Sequence, residues 1–179
     1  MEHVTVLLLV DDSHADATLV REALKASALQ VTLHVVPDGE EALAFLRREG
    51  LYTKAPRPDL VLLDLNLPQR DGHSILAEIR RDPALLHLPV VIFSSSTKQD
   101  DVDKSYELGA NLYVRKPLGL EEFFQAVRMV MERWASFRAA PHDSPAIRAD
   151  LTLDQRELAA KEYEQKVSRK GESAKAGRH

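Results

Sequence analysis

The chain has 179 residues, of which 44% are hydrophobic, and its formal net charge is −4 with a pI of about 6.0. This length predicts one folded domain plus an extension, and the mild acidity argues against a broad surface for binding nucleic acid. The absence of cysteine excludes disulfides, thiolate metal sites and thiol nucleophiles. The first apolar run, Val4–Val10, is too short to span a membrane and lacks the basic start of a signal peptide, so we expect a cytoplasmic protein without membrane contact.

Short apolar runs alternate along the chain with longer amphipathic segments, which is the pattern of β-α-β units. The central runs lack polar alternation, as expected where helices cover both faces of a parallel sheet. In chain order the predicted elements are strand Val4–Val10, helix Ala15–Ala28, strand Val31–Val35, helix Gly39–Arg48, strand Leu60–Leu63, helix His73–Arg81, strand Val90–Phe93, helix Asp100–Leu108, strand Asn111–Val114 and helix Leu120–Phe137. This alternation predicts an α/β fold over residues 1–137, with a doubly wound five-stranded parallel sheet and five helices.

The composition of the chain changes after the last of these helices. Residues 138–151 include Pro141 and Pro145 together with small polar residues, which predicts a linker. Residues 152–179 begin with a helix-capping pattern and end in a mostly basic stretch without apolar periodicity. We therefore expect a C-terminal extension made of a helical arm and a basic disordered tail.

Charged residues directly follow three of the predicted strands. Asp11 and Asp12 close the first strand, Asp64 closes the third, and Lys116 lies just beyond the fifth. The carboxyl ends of parallel strands share one edge of the sheet, so three carboxylates and one ammonium should meet there. Crowded carboxylates repel one another unless a divalent cation and a lysine neutralise them. The pattern indicates a hard metal site with a reactive aspartate, although a helix N-cap would explain Asp11 and Asp12 alone.

Four stretches of the sequence resemble the CheY-like receiver domains of two-component response regulators. They are LLLVDD at the first strand, PDLVLLDLNLPQRDG at the third, LPVVIFSSS at the fourth and GANLYVRKP at the fifth, and the resemblance covers residues 4 to about 134. The sequence around Asp64 and the insertion GLYTKAPRP are most similar to those of the small single-domain regulators of phytochrome-type histidine kinases. The resemblance implies a flavodoxin-like receiver fold and a sensor histidine kinase as the partner, with a phytochrome-type kinase implied by the similarity to the small regulators.

The resemblance also implies a role for each residue at the acidic edge. Asp64 would accept the phosphoryl group, and Mg²⁺ would be the cofactor. Asp12, Asp64 and the backbone carbonyl of Asn66 would bind the metal directly, while Asp11 would hold a coordinated water. Magnesium fits this task because it binds oxygen ligands and removes the repulsion between a carboxylate and a phosphoryl group.

Three further residues are implied in phosphoryl binding and switching. Lys116 and Ser94 would contact the phosphoryl group, with a cis peptide bond between Lys116 and Pro117. Ser94 would then move inward and let Tyr113 fill the gap, which would change the protein surface. A core or surface tyrosine is the simpler interpretation of Tyr113, and a serine-rich loop is the simpler interpretation of the residues after Ser94.

Three alternative functions can be weighed against the resemblance. A haloacid-dehalogenase-type phosphatase or phosphotransferase needs a second acid two residues after its nucleophile, where this chain has Asn66. We therefore expect no enzyme activity beyond the protein's own phosphorylation and dephosphorylation. Roughly 40 residues after the predicted receiver are too few for the usual helix-turn-helix output domain, so no direct DNA binding is expected. A regulator that acts through its C-terminal arm remains open.

The seven histidines show no paired spacing typical of a metal site. They are predicted to be surface residues: His3, His14, His34, His73, His87, His142 and His179.

The last predicted helix carries more apolar residues than one buried stripe requires. Phe123, Val127, Val130, Trp134 and Phe137 recur at spacings of four, three, four and three, which is a heptad pattern. The surplus at its C-terminal end predicts a second contact, either with a homodimer partner or with the chain's own tail. A long helix buried on one side only is the simpler interpretation.

Overall fold

The computed structural model describes residues 4–139, which form one parallel sheet flanked by helices. The elements are β1 (Thr5–Val10), α1 (His14–Lys25), β2 (Val31–Val36), α2 (Gly39–Arg47), β3 (Leu60–Leu63), α3 (Gly72–Arg81), β4 (Val90–Ser94), α4 (Gln99–Glu107), β5 (Leu112–Arg115) and α5 (Leu120–Ala139). The sheet order is β2-β1-β3-β4-β5, which is the flavodoxin-like order. The predicted α/β fold is therefore confirmed. The sequence did not predict a short 3₁₀ turn at Gly50–Tyr52.

The C-terminal predictions lie mostly beyond this range. Helix α5 runs to Ala139, so it continues slightly past the predicted receiver boundary at residue 137. The predicted linker covers residues 138–151, and its part from residue 140 onward lies outside the described residues, as do the predicted arm and tail, 152–179. Among the helices of residues 4–139, none is both long and apolar enough to cross a membrane.

The strand register brings the three predicted acidic and basic strand ends to one edge. Val10 pairs with Leu63 across β1 and β3, and the next residue along each strand is an aspartate. The Asp64 backbone N–H donates to the carbonyl of Val10 at 3.0 Å, so the ladder extends into the site itself. The chain adds β2 on one side of β1 and then β3 on the other side, so the order of strand addition changes direction between β1 and β3. Ligands of such folds bind at this switch point, at the carboxyl ends of the strands.

The core explains why the strands are so uniformly apolar. Every residue of β3 and β4 is buried. Helices α1 and α5 pack against each other, and α3 packs against both α2 and α4, so helices cover both faces of the sheet. Burying a large aliphatic side chain contributes about 1.5–3 kcal/mol, so these strands are a main source of stability. The rigid strand ends then position the polar groups that follow them.

The loop between β3 and α3 is held by short-range hydrogen bonds. Asp71 caps α3, its Oδ1 accepting from the Ser74 backbone N–H at 3.1 Å. The Gly72 N–H donates to the Leu65 carbonyl at 2.9 Å, which folds the helix start back onto the end of β3. A β-carbon at Gly72 would lie 2.2 Å from the Asp64 carbonyl oxygen, so glycine is required here by close backbone approach.

Helix α5 uses most of its apolar pattern inside the domain. Phe123, Val127 and Val130 are at most 3% exposed, and α5 packs along α1. For these three residues the simpler interpretation of the heptad pattern is correct. Trp134 is only partly buried, and the side chain of Phe137 lies outside what the structure describes. Among the residues of this pattern whose side chains the structure describes, only Trp134 is therefore left for a second contact.

Candidate functional site

Three aspartates meet at the carboxyl edge of the sheet, as the sequence predicted. Asp11, Asp12 and Asp64 each offer a carboxylate oxygen, and these oxygens all lie within 4.8 Å of one another. Asp11 is 3% exposed and Asp64 is 5% exposed, whereas Asp12 faces solvent. Two desolvated carboxylates with an open neighbour form a site that can admit a cation from the solvent side.

The ammonium of Lys116 closes the buried side of this cluster. Its Nζ donates to Asp11 Oδ2 at 2.7 Å and to Asp64 Oδ2 at 2.9 Å. The Lys116 backbone N–H donates to the Ser94 carbonyl at 2.8 Å, which continues the β4–β5 ladder and aims the side chain at the cluster. The predicted association of Lys116 with the acidic pair is therefore seen directly.

A fourth aspartate contacts the same ammonium and was missed by sequence reasoning. Asp16 Oδ2 accepts from Lys116 Nζ at 2.8 Å. Asp16 lies in the first turn of α1, where its backbone N–H donates to the capping Ser13 Oγ at 3.2 Å. An acid in a first helical turn is ordinarily explained by the helix dipole, so the sequence alone offers no reason to assign it to the site.

Burial and ion pairing shift the pKa values of two groups in the cluster in ways that partly oppose each other. Burial raises the pKa of the Asp11 carboxyl, and hydrogen bonding to Lys116 offsets this only in part. Burial would by itself lower the pKa of Lys116, yet its hydrogen bonds to Asp11 and Asp16 and the charge of Asp64 hold that pKa above its ordinary value. One ammonium thus contacts three carboxylates, with Asp12 beside them, and the acidic groups of the site outnumber its basic ones.

The donor chemistry of this site fits a divalent hard cation. The atoms that could bind a metal here are carboxylate oxygens, the ligand type that Mg²⁺ and Mn²⁺ prefer. A divalent ion would also neutralise the excess negative charge. Asn66 is exposed, and its backbone N–H donates to Asp64 Oδ1 at 3.2 Å. Asn66 is therefore beside the cluster, and the predicted ligand role of its carbonyl stays a prediction.

Ser94 and Tyr113 lie next to the cluster on β4 and β5. Ser94 is fully buried, and its Oγ accepts from the Ser96 N–H at 3.2 Å. Tyr113 is buried as well, and its hydroxyl donates to the Ser96 carbonyl at 3.1 Å. Burial raises the pKa of the Tyr113 phenol, partly offset by its hydrogen bonds. Tyr113 is a core residue in this conformation, and the switching role of the pair stays a prediction.

The expected cis peptide bond before Pro117 is not found. Every peptide bond among the described residues is trans, including that between Lys116 and Pro117. The two isomers of a bond before proline differ by only about 0.5–1 kcal/mol, so residue type alone does not decide between them. Lys116 reaches the acidic cluster with the trans bond.

The prediction that the histidines lie at the surface is wrong for His73. This residue is 6% exposed, and its Nε2 lies 3.0 Å from Ser105 Oγ and 3.2 Å from the Asp101 carbonyl. Its ring thereby ties α3 to α4. His34 is also partly buried and packs against Phe45. Histidine at the start of an apolar helical face can be buried when a neighbouring helix supplies its hydrogen-bond partners.

Comparison with known proteins agrees with this geometry. The family model described as "Response regulator receiver domain" matches residues 7–128, which include all four aspartates and Lys116. The chain belongs to the response regulator receiver family. The receiver resemblance predicted from the strand-end motifs is therefore confirmed.

Individual relatives support the same assignment. This receiver is 46% identical over 129 residues to response regulator Rcp1 of Synechocystis sp., covering 72% of this chain and 88% of the relative. The crystal structure of the phosphorylated cyanobacterial phytochrome response regulator RcpA has a TM-score of 0.72 and 46% identity, covering 75% of this chain and 96% of that one. The Mn²⁺-bound form of Rcp1 has a TM-score of 0.69 and 46% identity, covering 73% and 94% of the respective chains.

Proposed function

We propose that this receiver takes a phosphoryl group on Asp64 from a sensor histidine kinase and then presents a changed surface to a downstream partner. The observation that carries the proposal is the buried Asp64 carboxylate, held between an acidic cluster and the ammonium of Lys116. Lys116 compensates the burial of this carboxylate, and Asp64 lies at the edge of the sheet where ligands of such folds bind. That RcpA, a close structural neighbour, is described as phosphorylated supports the assignment.

The reaction can be written in terms of this chain's own residues. A carboxylate oxygen of Asp64 attacks the phosphorus of a phosphohistidine, in line with the breaking P–N bond. A P–O bond forms, and the electron pair of the P–N bond stays on the imidazole nitrogen. The other ring nitrogen carries a proton, so the imidazole leaves as a neutral group and Asp64 becomes an acyl phosphate. Lys116 and Ser94 then donate hydrogen bonds to phosphoryl oxygens.

A bound Mg²⁺ ion is part of the proposal. It would be held by Asp12 and Asp64 directly, by Asp11 through water and by the Asn66 carbonyl. When bound, it would reduce the repulsion between the Asp64 carboxylate and the oxygens of the incoming phosphoryl group. The carboxylate oxygens within 4.8 Å of one another support this assignment. The Mn²⁺-bound form of Rcp1 shows that a close relative holds a divalent metal.

Asp12→Ala is expected to weaken Mg²⁺ binding by at least about tenfold, since even the loss of a residue that only supports a metal ligand costs about that much. The remaining carboxylates would also stay poorly neutralised, so phosphorylation should slow. Calorimetric titration of the metal-free protein with Mg²⁺ measures the affinity. Asp103→Ala is the matched control, because Asp103 is an exposed residue on α4 and should leave the affinity unchanged. Equal affinities in the two variants would remove Asp12 from the ligand set.

Phosphoryl uptake tests the proposed function against the alternative of a phosphatase. The wild-type protein, incubated with acetyl phosphate and Mg²⁺, should gain the mass of one phosphoryl group and release little free phosphate over minutes. The position two residues after Asp64 supports this outcome, because the neutral, exposed Asn66 cannot protonate a leaving group. Continuous release of phosphate without a phosphorylated species would favour the phosphatase.

The input partner is proposed from the relatives. Rcp1 and RcpA are response regulators, and RcpA is described as a phytochrome response regulator, so we propose a phytochrome-type histidine kinase in the cytoplasm as the phosphoryl donor. Transfer from a purified autophosphorylated kinase of this type, faster than from an unrelated kinase, would support the pairing.

A homodimer through α5 is the proposed assembly. Trp134 is a partly exposed aromatic residue on a helix whose preceding apolar residues are buried, and aromatic residues are favoured anchors at interfaces. Trp134→Glu should weaken the dimer by about 3 kcal/mol or more, because burial contributes about 1.5–3 kcal/mol per large side chain and two-fold symmetry counts it twice. Sedimentation at micromolar concentration measures this, with the exposed Arg133→Gln as control. A wild-type monomer, with or without phosphate, would exclude the dimer.

A further inference from the structure

All three N–H protons of the Lys116 ammonium have a hydrogen-bond acceptor in this structure. A lysine ammonium carries three protons, and Lys116 Nζ has three carboxylate oxygens at hydrogen-bonding distance. These are Asp11 Oδ2 at 2.7 Å, Asp16 Oδ2 at 2.8 Å and Asp64 Oδ2 at 2.9 Å. Before Lys116 can donate to a phosphoryl oxygen, it must therefore give up one of these three partners.

The chemistry of phosphorylation indicates which partner is released. Once a phosphoryl group is attached, the Asp64 carboxyl becomes an uncharged acyl group, and charged acceptors hold an ammonium much more strongly than neutral ones. The proton directed at Asp64 is thus the one that turns to the phosphoryl group, and Asp11 and Asp16 keep the other two.

Asp16 is well placed to act as a fixed anchor. Its side chain is 26% exposed, compared with 1% for Asp11, so it reaches Lys116 from the solvent side of the cluster. It lies in the first turn of α1, where the helix dipole attracts an acidic side chain. The hydrogen bond from its backbone to Ser13 Oγ fixes the turn from which the carboxylate reaches Lys116.

We propose that Asp16 is a positioning residue for phosphoryl binding: together with Asp11 it holds the Lys116 ammonium beside Asp64, so that one proton is free to turn to the phosphoryl group. The inference deepens the proposed phosphoacceptor function. Asp16 acts only through Lys116, and this distinguishes it from a residue that merely adds negative charge. Negative charge alone would repel a phosphoryl group, so the two roles predict effects of opposite sign.

The test is a double-mutant cycle read by binding of trifluoroberyllate, a phosphoryl mimic, at saturating Mg²⁺ with ¹⁹F NMR detection. Asp16→Asn should weaken binding by about tenfold, because the Lys116 ammonium would no longer be held in position beside Asp64; a tenfold change corresponds to about 1.4 kcal/mol. In a Lys116→Ala background the same substitution should not weaken binding at all. Glu22→Gln is the matched control, because it removes one negative charge from an exposed pair with Lys25 on the same helix.

Two outcomes would overturn the proposal. Tighter binding in Asp16→Asn would show that Asp16 competes with the phosphoryl group, and an equal effect with and without Lys116 would show a role for charge alone. A second measurement is independent of phosphoryl chemistry: the Lys116 ammonium protons should exchange with water faster in Asp16→Asn than in the wild type, by ¹⁵N NMR. If the wild type bound no phosphoryl mimic, the proposed function would fail, while this exchange measurement would still test the anchoring by Asp16.

Discussion

Asp64→Asn is expected to take up no phosphoryl group from acetyl phosphate or from a phosphorylated kinase. The asparagine amide has nearly the shape of the carboxylate but lacks the anionic oxygen that attacks phosphorus. Asp64 is the buried acid at the end of the central strand β3, and Lys116 Nζ lies 2.9 Å from its Oδ2. Asp11 is buried too, but it follows β1 and would hold only a water of the proposed metal ion. We therefore expect no substitute nucleophile, and the loss should be complete.

Intact-mass spectrometry measures this result, and the fold can be checked at the same time. Replacing one of several crowded carboxylates with an amide relieves like-charge repulsion, so the variant should melt no lower than the wild type. Asp100→Asn is the matched control, since Asp100 is an exposed aspartate on α4 and the variant should phosphorylate normally. A stable phosphoryl group on the Asp64→Asn protein would show that another residue is the acceptor.

Gly72→Ala should be among the most destabilising single substitutions in the domain. A β-carbon there would lie 2.2 Å from the Asp64 carbonyl oxygen and 2.8 Å from the Leu65 α-carbon. Both are backbone atoms at the end of β3 and cannot turn away as a flexible side chain could. Helix propensity alone would favour alanine by about 1 kcal/mol. Overpacking typically costs about 1–3 kcal/mol and occasionally more, and the contact with rigid backbone atoms places Gly72→Ala at the upper end, so the clash should dominate.

The effect of Gly72→Ala should extend to the site, because the clashing oxygen belongs to Asp64 itself. We expect urea denaturation to show a loss of about 3 kcal/mol in the free energy of unfolding, and acetyl phosphate to label the folded fraction more slowly. Gly50→Ala is the control, since that position has a φ of 56° but nothing within 4 Å of an added β-carbon. Its cost should be limited to the left-handed backbone strain of about 1 kcal/mol. Equal losses in the two variants would show that close packing at Gly72 is unimportant.

The fold and most of the site could be predicted because both follow from local sequence features. The alternation of short apolar runs with amphipathic segments determines the order of strands and helices, and parallel strands place their carboxyl ends on one edge. Asp11, Asp12, Asp64 and Lys116 directly follow strands, so their convergence needs only the sheet order. Gly109 directly follows the C-cap of α4, where glycine commonly takes a left-handed backbone conformation, and its φ is 95°.

Other features depend on which elements become neighbours in space, and the sequence by itself did not determine them. Asp16 is 100 residues from Lys116, and its contact requires α1 to start beside the end of β5. His73 is buried only because α4 brings Ser105 and the Asp101 carbonyl to its ring. The heptad pattern of α5 suggested a second contact with a homodimer partner or the chain's own tail, yet Phe123, Val127 and Val130 are buried within the domain, where α5 packs along α1 and Phe123 contacts Phe93 of β4. Periodicity shows that a side chain needs a partner, but tertiary packing decides which group that partner is.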